Sequence, residues 1–310
     1  MQNPLTPFLE SAGYLILDGA MATELEARGA DLNDPLWSAR LLLENPALIA
    51  AVHRDYLLAG ADVLITASYQ ASFAGFAERG LDAAAAGRLM RFSVELACQV
   101  RDEFWADPAN RAGRLKPLVA ASVGPYGAVL HDGSEYRGDY GLTVAELMAF
   151  HRPRLAVLAT AGADLLACET LPSLAEVEAL IRLLPEFSEM PAWISASAGD
   201  GLHLCHGEPL TALLALTDAC PQVVAAGINC TSPEFIGSLL ASAAASAKPL
   251  LTYPNRGESW DGVHHCWAGG TGIVDYGAAA LRWRRAGARL VGGCCRSTPT
   301  DIRAMRAALA

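Results

Sequence analysis

The chain has 310 residues, of which 52% are hydrophobic and only 18% charged, and its formal net charge is −10 at pH 7. No apolar run reaches the ~18 residues that a membrane span needs. The two lysines, Lys116 and Lys248, form no basic patch of the kind that binds nucleic acid. The amino terminus has no basic segment before an apolar stretch, which excludes a typical signal peptide. We therefore expect a cytoplasmic protein that binds neither membrane nor nucleic acid.

Short apolar strands alternate with amphipathic helices along the whole chain. Alternation predicts a parallel sheet buried on both faces, and eight units predict closure into one (β/α)8 TIM barrel, an α/β fold with residues 1–310 as a single domain. An open doubly wound sheet remains the alternative, because the pattern does not show closure. In chain order, the predicted strands are Tyr14–Leu17, Asp62–Thr66, Leu118–Ser122, Asp164–Cys168, Ala192–Ser195, Gln222–Ala226, Pro249–Thr252 and Arg289–Val291.

Recurring signals mark where the helices end and begin. The junction Ala-Gly-Ala precedes three of the strands, with its glycine at Gly60, Gly162 and Gly287. This predicts a helix closed by a glycine in the left-handed cap conformation, followed at once by the next strand. Helix starts are predicted by capping boxes at Thr143–Glu146 and Ser173–Glu176.

Polar side chains follow the predicted strands, at the mouth where parallel barrels place their chemistry. Asp18 and Glu169 each come directly after an apolar run. A carboxylate at a low-dielectric rim costs free energy unless it is paired or meets a cation. Each is therefore either a structural partner of an arginine or a backbone cap, or an anchor for a substrate ammonium group. Tyr69 and Tyr126 follow the second and third strands and are suited to hold a cationic ligand.

Three cysteines carry the most specific signal. Cys230 follows the sixth predicted strand, and Cys294 and Cys295 follow the eighth after Gly292-Gly293. Three thiolates with one open position are the arrangement of a catalytic zinc, whereas a structural zinc takes four protein ligands. Buried structural cysteines are the alternative, since adjacent residues reach one metal only if the strand ends or bulges there. A disulfide is disfavoured in a reducing compartment.

Weaker signals leave other possibilities open. The runs His264-His265-Cys266 and Cys205-His206 are typical of solvated loops, and residues 131–140 form either a lid or an exposed insertion. The glycine pair before a helix start is also typical of a phosphate-binding lyase. Such a lyase needs a lysine at a strand's carboxyl end, but both lysines precede strands. A non-catalytic zinc-binding barrel is the remaining alternative class.

Five segments together resemble the homocysteine S-methyltransferases, in order and over essentially the whole chain. The segments are Asp18-Gly19-Ala20-Met21-Ala22-Thr23-Glu24-Leu25, Ala67-Ser68-Tyr69-Gln70, Ala167-Cys168-Glu169-Thr170-Leu171-Pro172, Gly227-Ile228-Asn229-Cys230 and Gly292-Gly293-Cys294-Cys295-Arg296.

The resemblance implies a zinc-dependent methyltransferase. One zinc ion per chain is expected on Cys230, Cys294 and Cys295, with the homocysteine thiolate in the fourth position. The same resemblance implies that Asp18 and Glu169 hold the amino group of homocysteine. Backbone amides around Gly19 and Ala20 are expected to bind its carboxylate.

The methyl donor is less closely defined. The resemblance favours a sulfonium, S-methylmethionine or more slowly S-adenosylmethionine. Betaine, methylfolate, and a selenohomocysteine or selenocysteine acceptor remain alternatives.

Overall fold

A computed structural model describes residues 2–32, 37–257, 259–261, 266–268 and 272–310 of the protein. The strands in these ranges are β1 (Leu15–Ile16), β2 (Val63–Ile65), β3 (Leu118–Val123), β4 (Leu165–Leu171), β5 (Ala192–Ala196), β6 (Val223–Asn229), β7 (Leu250–Tyr253), β8 (Ser259–Asp261), β9 (Cys266–Ala268) and β10 (Ala288–Val291). The α-helices are α1 (Thr6–Ser11), α2 (Met21–Ala27), α3 (Leu41–Glu44), α4 (Pro46–Ala59), α5 (Phe73–Glu78), α6 (Ala83–Ala106), α7 (Tyr126–Leu130), α8 (Val144–Leu158), α9 (Leu174–Leu183), α10 (Leu210–Asp218), α11 (Ile236–Ser242), α12 (Tyr276–Arg285) and α13 (Pro299–Leu309). Short 3-10 helices span Trp37–Arg40, Pro108–Arg111, Ser134–Tyr136 and Leu184–Phe187.

Eight parallel strands form the barrel that the sequence predicts. Their order is β1-β10-β7-β6-β5-β4-β3-β2. A parallel bridge between Leu17 and Val63 joins the two ends of this order, β1 and β2. The Asp62 amide donates to the Ile16 carbonyl across the same junction, at 2.7 Å. The sheet therefore closes on itself, and the open doubly wound alternative is wrong.

Side chains along each strand alternate between the barrel interior and the surrounding helices. Leu165 and Ala167 of β4 belong to a small inner cluster, whereas Leu166 and Cys168 belong to the larger cluster between sheet and helices. Because the period along a strand is two residues, the next inward position on β4 is Glu169. The apolar barrel interior therefore ends, on this strand, in a carboxylate.

The predicted helix ends are confirmed in the structure. Gly60, Gly162 and Gly287 have φ values of 109°, 98° and 106°, the left-handed region that favours glycine. Thr143 and Glu146 form both hydrogen bonds of a capping box. The predicted box at Ser173 is only half formed: the Glu176 amide donates to Ser173 Oγ, but the Glu176 carboxylate accepts from the Tyr126 amide instead of returning to Ser173. None of the helices in the described ranges is long and apolar enough to cross a membrane.

Strands β4 and β6 each end three residues further toward the mouth than the sequence predicts, at Leu171 and Asn229. The prediction ended the fourth strand at Cys168, but β4 continues through Glu169 to Leu171, with an irregular register against β5 after Cys168. Thr170 lies in this irregularity with φ 61°, and its amide donates to Asn229 Oδ1 at 2.7 Å. The sequence missed the extension because a polar residue in a strand reads as its end.

The structure also contains an antiparallel pair, β8 with β9, that was not predicted. Cys266 was expected in a loop, but it is the first residue of β9, so that prediction was wrong. Three residue pairs between β8 and β9 form the antiparallel ladder there. His264 and His265 lie outside the described residues. Cys205 and His206 occupy a turn in which the His206 ring nitrogen Nδ1 lies 2.9 Å from Glu208 Oε1.

Candidate metal centre and substrate cavity

Three cysteine sulfur atoms lie together at the carboxyl ends of β6 and β10. The Sγ atom of Cys295 is 3.7 Å from that of Cys230 and 4.0 Å from that of Cys294. All three sulfur atoms lie within 4.8 Å of one another. The structure thus brings together the three cysteines that the sequence singled out.

The backbone explains how two adjacent cysteines reach the same point. β10 ends at Val291, so Cys294 and Cys295 are no longer constrained to opposite faces of a sheet. Gly293 permits the close turn, since a Cβ atom there would lie 2.3 Å from the Ser297 side-chain oxygen. The two adjacent cysteines can therefore face one point because β10 has already ended and because Gly293 allows a tight turn before them.

The cluster has the dimensions of a tetrahedral zinc site. Zinc–sulfur bonds of about 2.3 Å at tetrahedral angles place neighbouring sulfur atoms about 3.8 Å apart. The two distances at Cys295 bracket this value. No fourth histidine, cysteine or carboxylate joins the group within the described residues, which leaves one position for a ligand. Hydrogen bonds from Cys294 and Cys295 lower the pKa of Cys230 well below its usual value. The same contacts raise the pKa of Cys294 and of Cys295 well above theirs, so the cluster favours negative charge on Cys230.

Two buried carboxylates face the same mouth. Asp18, only 3% exposed, accepts a hydrogen bond from the Ile65 amide at 2.8 Å. Glu169, 6% exposed, accepts hydrogen bonds from the hydroxyls of Ser122 and of Tyr253, the latter at 2.9 Å. Neither carboxylate forms an ion pair with a described residue, so no protein cation offsets the cost of ionising it.

Burial dominates the electrostatics of both carboxylates. It raises the pKa of Asp18 well above its ordinary value, despite the Ile65 amide, and repulsion from Glu169 adds to the rise. Burial also raises the pKa of Glu169 to about 7, although its two hydroxyl partners oppose the change. A cationic group of a ligand between the two carboxylates would offset the free-energy cost of ionising them. The described residues around them supply no such cation.

One cavity at the barrel mouth connects the cysteines with the carboxylates. Among the described residues its lining holds four carboxylates and no lysine, arginine or histidine, so its electrostatic potential favours cationic ligands. The lining residues are Asp18, Gly19, Ala20, Met21, Ala22, Thr23, Glu26, Ile65, Thr66, Ala67, Tyr69, Gln70, Ser122, Glu135, Tyr136, Glu169, Thr170, Cys230, Tyr253, Gly293, Cys294 and Cys295.

Gly19 and Ala20 line this cavity just before α2. A Cβ atom on Gly19 would lie 2.7 Å from Ser297 Oγ and 2.9 Å from the Tyr56 ring, so the backbone there approaches its neighbours closely. The Ala20 amide already donates to Ser297 Oγ at 3.2 Å. The first turn of α2 has no side-chain cap, so its following amides are the more available donors for a ligand carboxylate.

The tyrosines that the sequence proposed for a cationic ligand occupy different positions. Tyr69 lines the cavity, and the buried Arg154 fixes its backbone through a bond to the Tyr69 carbonyl at 2.9 Å. Tyr126 does not appear in the lining; its ring packs edge-on against Tyr140 and Phe150. The structure therefore does not bring Tyr126 together with the other candidates.

Several residues of the site were not predicted from the sequence to bind homocysteine or a metal. Ser122 and Tyr253 belong to strands, and only the barrel geometry brings them onto Glu169. Glu135 and Tyr136, in the 3-10 helix Ser134–Tyr136, also line the cavity, and the Tyr136 hydroxyl is 3.2 Å from Cys230 Sγ. Burial raises the pKa of Glu135 to about 7. Residues 131–140 were predicted to form either a lid or an exposed insertion, and part of this segment forms a wall of the cavity.

Comparisons with known proteins agree with this geometry. A family model described as homocysteine S-methyltransferase matches residues 15–309. The chain is 52% identical to a homocysteine S-methyltransferase of Bacillus subtilis, YbgG, over 98% of this chain and 97% of the relative. It is 47% identical to a selenocysteine Se-methyltransferase of Brassica oleracea, over 96% of this chain and 89% of the relative. The crystal structure of the metallated homocysteine methyltransferase MmuM from Escherichia coli aligns with a TM-score of 0.88 at 51% identity, covering 98% of this chain and 99% of that one.

Proposed function

Since the chain belongs to the homocysteine S-methyltransferase family, we propose that it transfers a methyl group from a sulfonium donor to the sulfur of homocysteine. The family makes the chain a methyltransferase, which argues against the lyase and the non-catalytic barrel. S-methylmethionine is the proposed donor, with S-adenosylmethionine as a slower substitute. The cytoplasmic location and the single domain over residues 1–310 stay predictions.

The proposed cofactor is one zinc ion per chain, held by Cys230, Cys294 and Cys295. The sulfur–sulfur distances and the open fourth position support this assignment. When bound, zinc keeps a coordinating thiol deprotonated at neutral pH, whereas a free thiol with a pKa near ~8.5 is mostly protonated. The metallated form in which MmuM was crystallised is consistent with a metal in this family.

The remaining groups of the site orient homocysteine. Asp18 and Glu169 are proposed to hold its ammonium group, which supplies the cation that these buried carboxylates lack. Backbone amides around Gly19 and Ala20 are proposed to bind its carboxylate, with the uncapped amides of the first turn of α2 as the main donors because the Ala20 amide already donates to Ser297. Fixing both ends of the amino acid leaves its sulfur directed toward the cysteines, and such alignment is a large part of the catalysis of a bimolecular step.

The transfer itself requires no general base from the protein. A lone pair of the homocysteine thiolate forms the new carbon–sulfur bond to the methyl group. The bond from that methyl to the donor sulfur breaks, and its electrons return to the donor sulfur, which becomes a neutral thioether. With S-methylmethionine as donor, both products are methionine.

The charge of the cavity is the observation that supports a sulfonium donor. Its lining contains Asp18, Glu26, Glu135 and Glu169 and no basic side chain among the described residues. Methylfolate carries carboxylates on its glutamate tail and would be repelled, and betaine has no net charge to attract. A sulfonium amino acid has a net positive charge, which this lining favours.

The test is a comparison of kcat/KM on purified, zinc-loaded protein with S-methylmethionine, S-adenosylmethionine, betaine and methylfolate. We expect the highest value for S-methylmethionine; a higher value for betaine or methylfolate would contradict the donor assignment. The same assay with selenocysteine in place of homocysteine tests a second acceptor, which the Brassica oleracea relative suggests. Metal-depleted protein is the control for every combination of methyl donor and acceptor.

A further inference from the structure

Glu135 is a buried carboxylate for which orienting homocysteine provides no role. It is 7% exposed and lines the cavity beside the cysteine cluster. Its Oε2 atom is buried and has no hydrogen-bond partner among the described residues. The adjacent Tyr136 places its hydroxyl 3.2 Å from Cys230 Sγ, so this segment faces the sulfur end of the cavity.

The three buried carboxylates of the cavity differ in how the protein satisfies them. Asp18 receives the Ile65 amide, and Glu169 receives hydroxyls from two side chains. Glu135 has no ion-pair partner in the described parts of the chain, and one of its oxygens accepts nothing. A buried carboxylate without such partners is costly unless a ligand completes it. Because Glu135 lies beside the cysteines, the cation that would pair with it lies close to the sulfur atoms that react.

We propose that Glu135 is the residue that selects a cationic methyl donor, by pairing with the sulfonium group of the donor. The proposal rests on the proposed function and deepens it. The rings of Tyr69 and Tyr136, which line the same cavity, add faces that attract a compact cation. Glu135 is therefore a specificity-determining residue for the donor rather than a ligand of homocysteine.

The segment that carries Glu135 is fixed by contacts that its carboxylate does not make. Asp132 accepts a hydrogen bond from the Ser134 amide at 2.9 Å, and Ser197 donates to the Glu135 carbonyl at 3.2 Å. Gly127 lets the segment approach closely, since a Cβ atom there would lie 2.5 Å from the Glu135 nitrogen. Neutralising the side chain should therefore leave the backbone in place.

The charge of the donor disappears during the reaction, and this determines which kinetic constant Glu135 controls. The sulfonium is fully charged in the bound donor and partly neutralised in the transition state. An interaction that is stronger with the bound donor lowers KM without raising kcat. A change at Glu135 should therefore appear mainly in the KM for the donor.

The experiment compares wild-type, Glu135→Gln and Glu135→Asp enzymes, all zinc-loaded, at saturating homocysteine. In Glu135→Gln we expect the KM for S-methylmethionine to rise about tenfold, because a charge-assisted contact is lost. The inhibition constant of methionine against S-methylmethionine should change less than about threefold, because its sulfur is neutral. The KM for homocysteine and kcat should also stay within about threefold. Glu135→Asp, which keeps the charge, should fall between wild type and Glu135→Gln.

Glu95→Gln is the matched control. Glu95 is exposed on α6 and is not among the residues that line the cavity. The same substitution there should leave the ratio between the KM for S-methylmethionine and the inhibition constant of methionine unchanged.

Three outcomes would overturn the proposal. If Glu135→Gln weakens the binding of S-methylmethionine and of methionine equally, Glu135 either contacts a group that both molecules share or has a structural role. A parallel loss of homocysteine affinity in both Glu135 variants would show a general disturbance of the site. An unchanged KM for S-methylmethionine would show that the charge is not used. Failure of the proposed function itself is distinguished by the wild-type enzyme, which would then not turn over S-methylmethionine at all.

Discussion

Replacing Glu169 by glutamine should stabilise the ligand-free protein at alkaline pH while weakening homocysteine binding. Burial raises the pKa of Glu169 from its ordinary 4.5 to about 7. The folded state therefore holds the proton more tightly than the unfolded state. The cost of the buried charge is absent below pH 4.5, grows as the pH rises, and is complete above pH 7.

The magnitude follows from the size of this change. A rise of that extent corresponds to about 3 kcal/mol of destabilisation above pH 7, at 1.36 kcal/mol for each pKa unit. Glutamine is neutral at every pH and carries no such cost, but it disturbs the hydrogen bonds from Ser122 and Tyr253, which removes about 1 kcal/mol. We expect a net gain of about 2 kcal/mol at pH 8, or about 3 °C in Tm. The gain should vanish near pH 5.

The assay is urea denaturation of zinc-loaded wild type and Glu169→Gln between pH 5 and pH 8, with calorimetric titration of homocysteine at pH 8. Homocysteine should bind about 1.5–3 kcal/mol more weakly to the variant. Glu146→Gln is a control of opposite sign, because hydrogen bonds from Thr143 lower the pKa of that exposed carboxylate. That variant should be less stable than wild type by a nearly constant amount between pH 5 and pH 8, because the carboxylate is ionised in both the folded and the unfolded state over most of that range. Equal destabilisation of Glu169→Gln at both pH values, with unchanged homocysteine affinity, would refute the reasoning.

Three further substitutions test other parts of the site. Cys230→Ser removes a thiolate that the serine hydroxyl cannot replace, so zinc measured by mass spectrometry should fall from one per chain to nearly none; full occupancy would contradict the ligand assignment. Gly227→Ala places a Cβ atom 2.0 Å from the Leu251 carbonyl oxygen and should cost about 1–3 kcal/mol in urea denaturation, whereas unchanged stability would show that β6 and β7 separate freely. Arg154→Met removes the bond to the Tyr69 carbonyl, so the donor KM should rise by roughly threefold or more while zinc content stays constant; loss of zinc as well would indicate a general collapse of the mouth.

The parts of the fold that the sequence predicts are those set by local chemistry. The glycines Gly60, Gly162 and Gly287 mark helix ends because few other residues adopt their backbone conformation at low cost. The apolar runs mark strands because a parallel sheet is buried on both faces. The last residues of β4 and β6 were missed because they include the polar residues Glu169 and Asn229. Their hydrogen-bond partners are on other strands, so the local sequence does not indicate that these residues belong to a strand. Register between distant strands has no local signature.

The same division applies to the candidate site. Cys230, Cys294 and Cys295 are recognisable because few combinations of soft ligands at strand ends have another purpose. Tyr126 resembles Tyr69 in sequence, but it packs against neighbouring rings because α7 begins with it. Glu135 was overlooked because an isolated glutamate in a glycine-rich loop is usually solvated. Its burial depends on Gly127, which lets the segment approach the barrel closely.

The distribution of charge connects the acceptor, the donor and the products. With four carboxylates and three thiols in the lining and no basic side chain among the described residues, only uncharged hydrogen-bond donors are available there for the carboxylate of an amino-acid ligand. The backbone amides among them that have no side-chain cap lie at the start of α2, next to Asp18 in the chain. The ammonium and sulfonium groups are left for the acidic residues. Transfer from a sulfonium donor would neutralise its charge, so we expect the anionic cavity to bind such a donor more tightly than the thioether it becomes. The charges proposed to select the donor would then also favour release of the product.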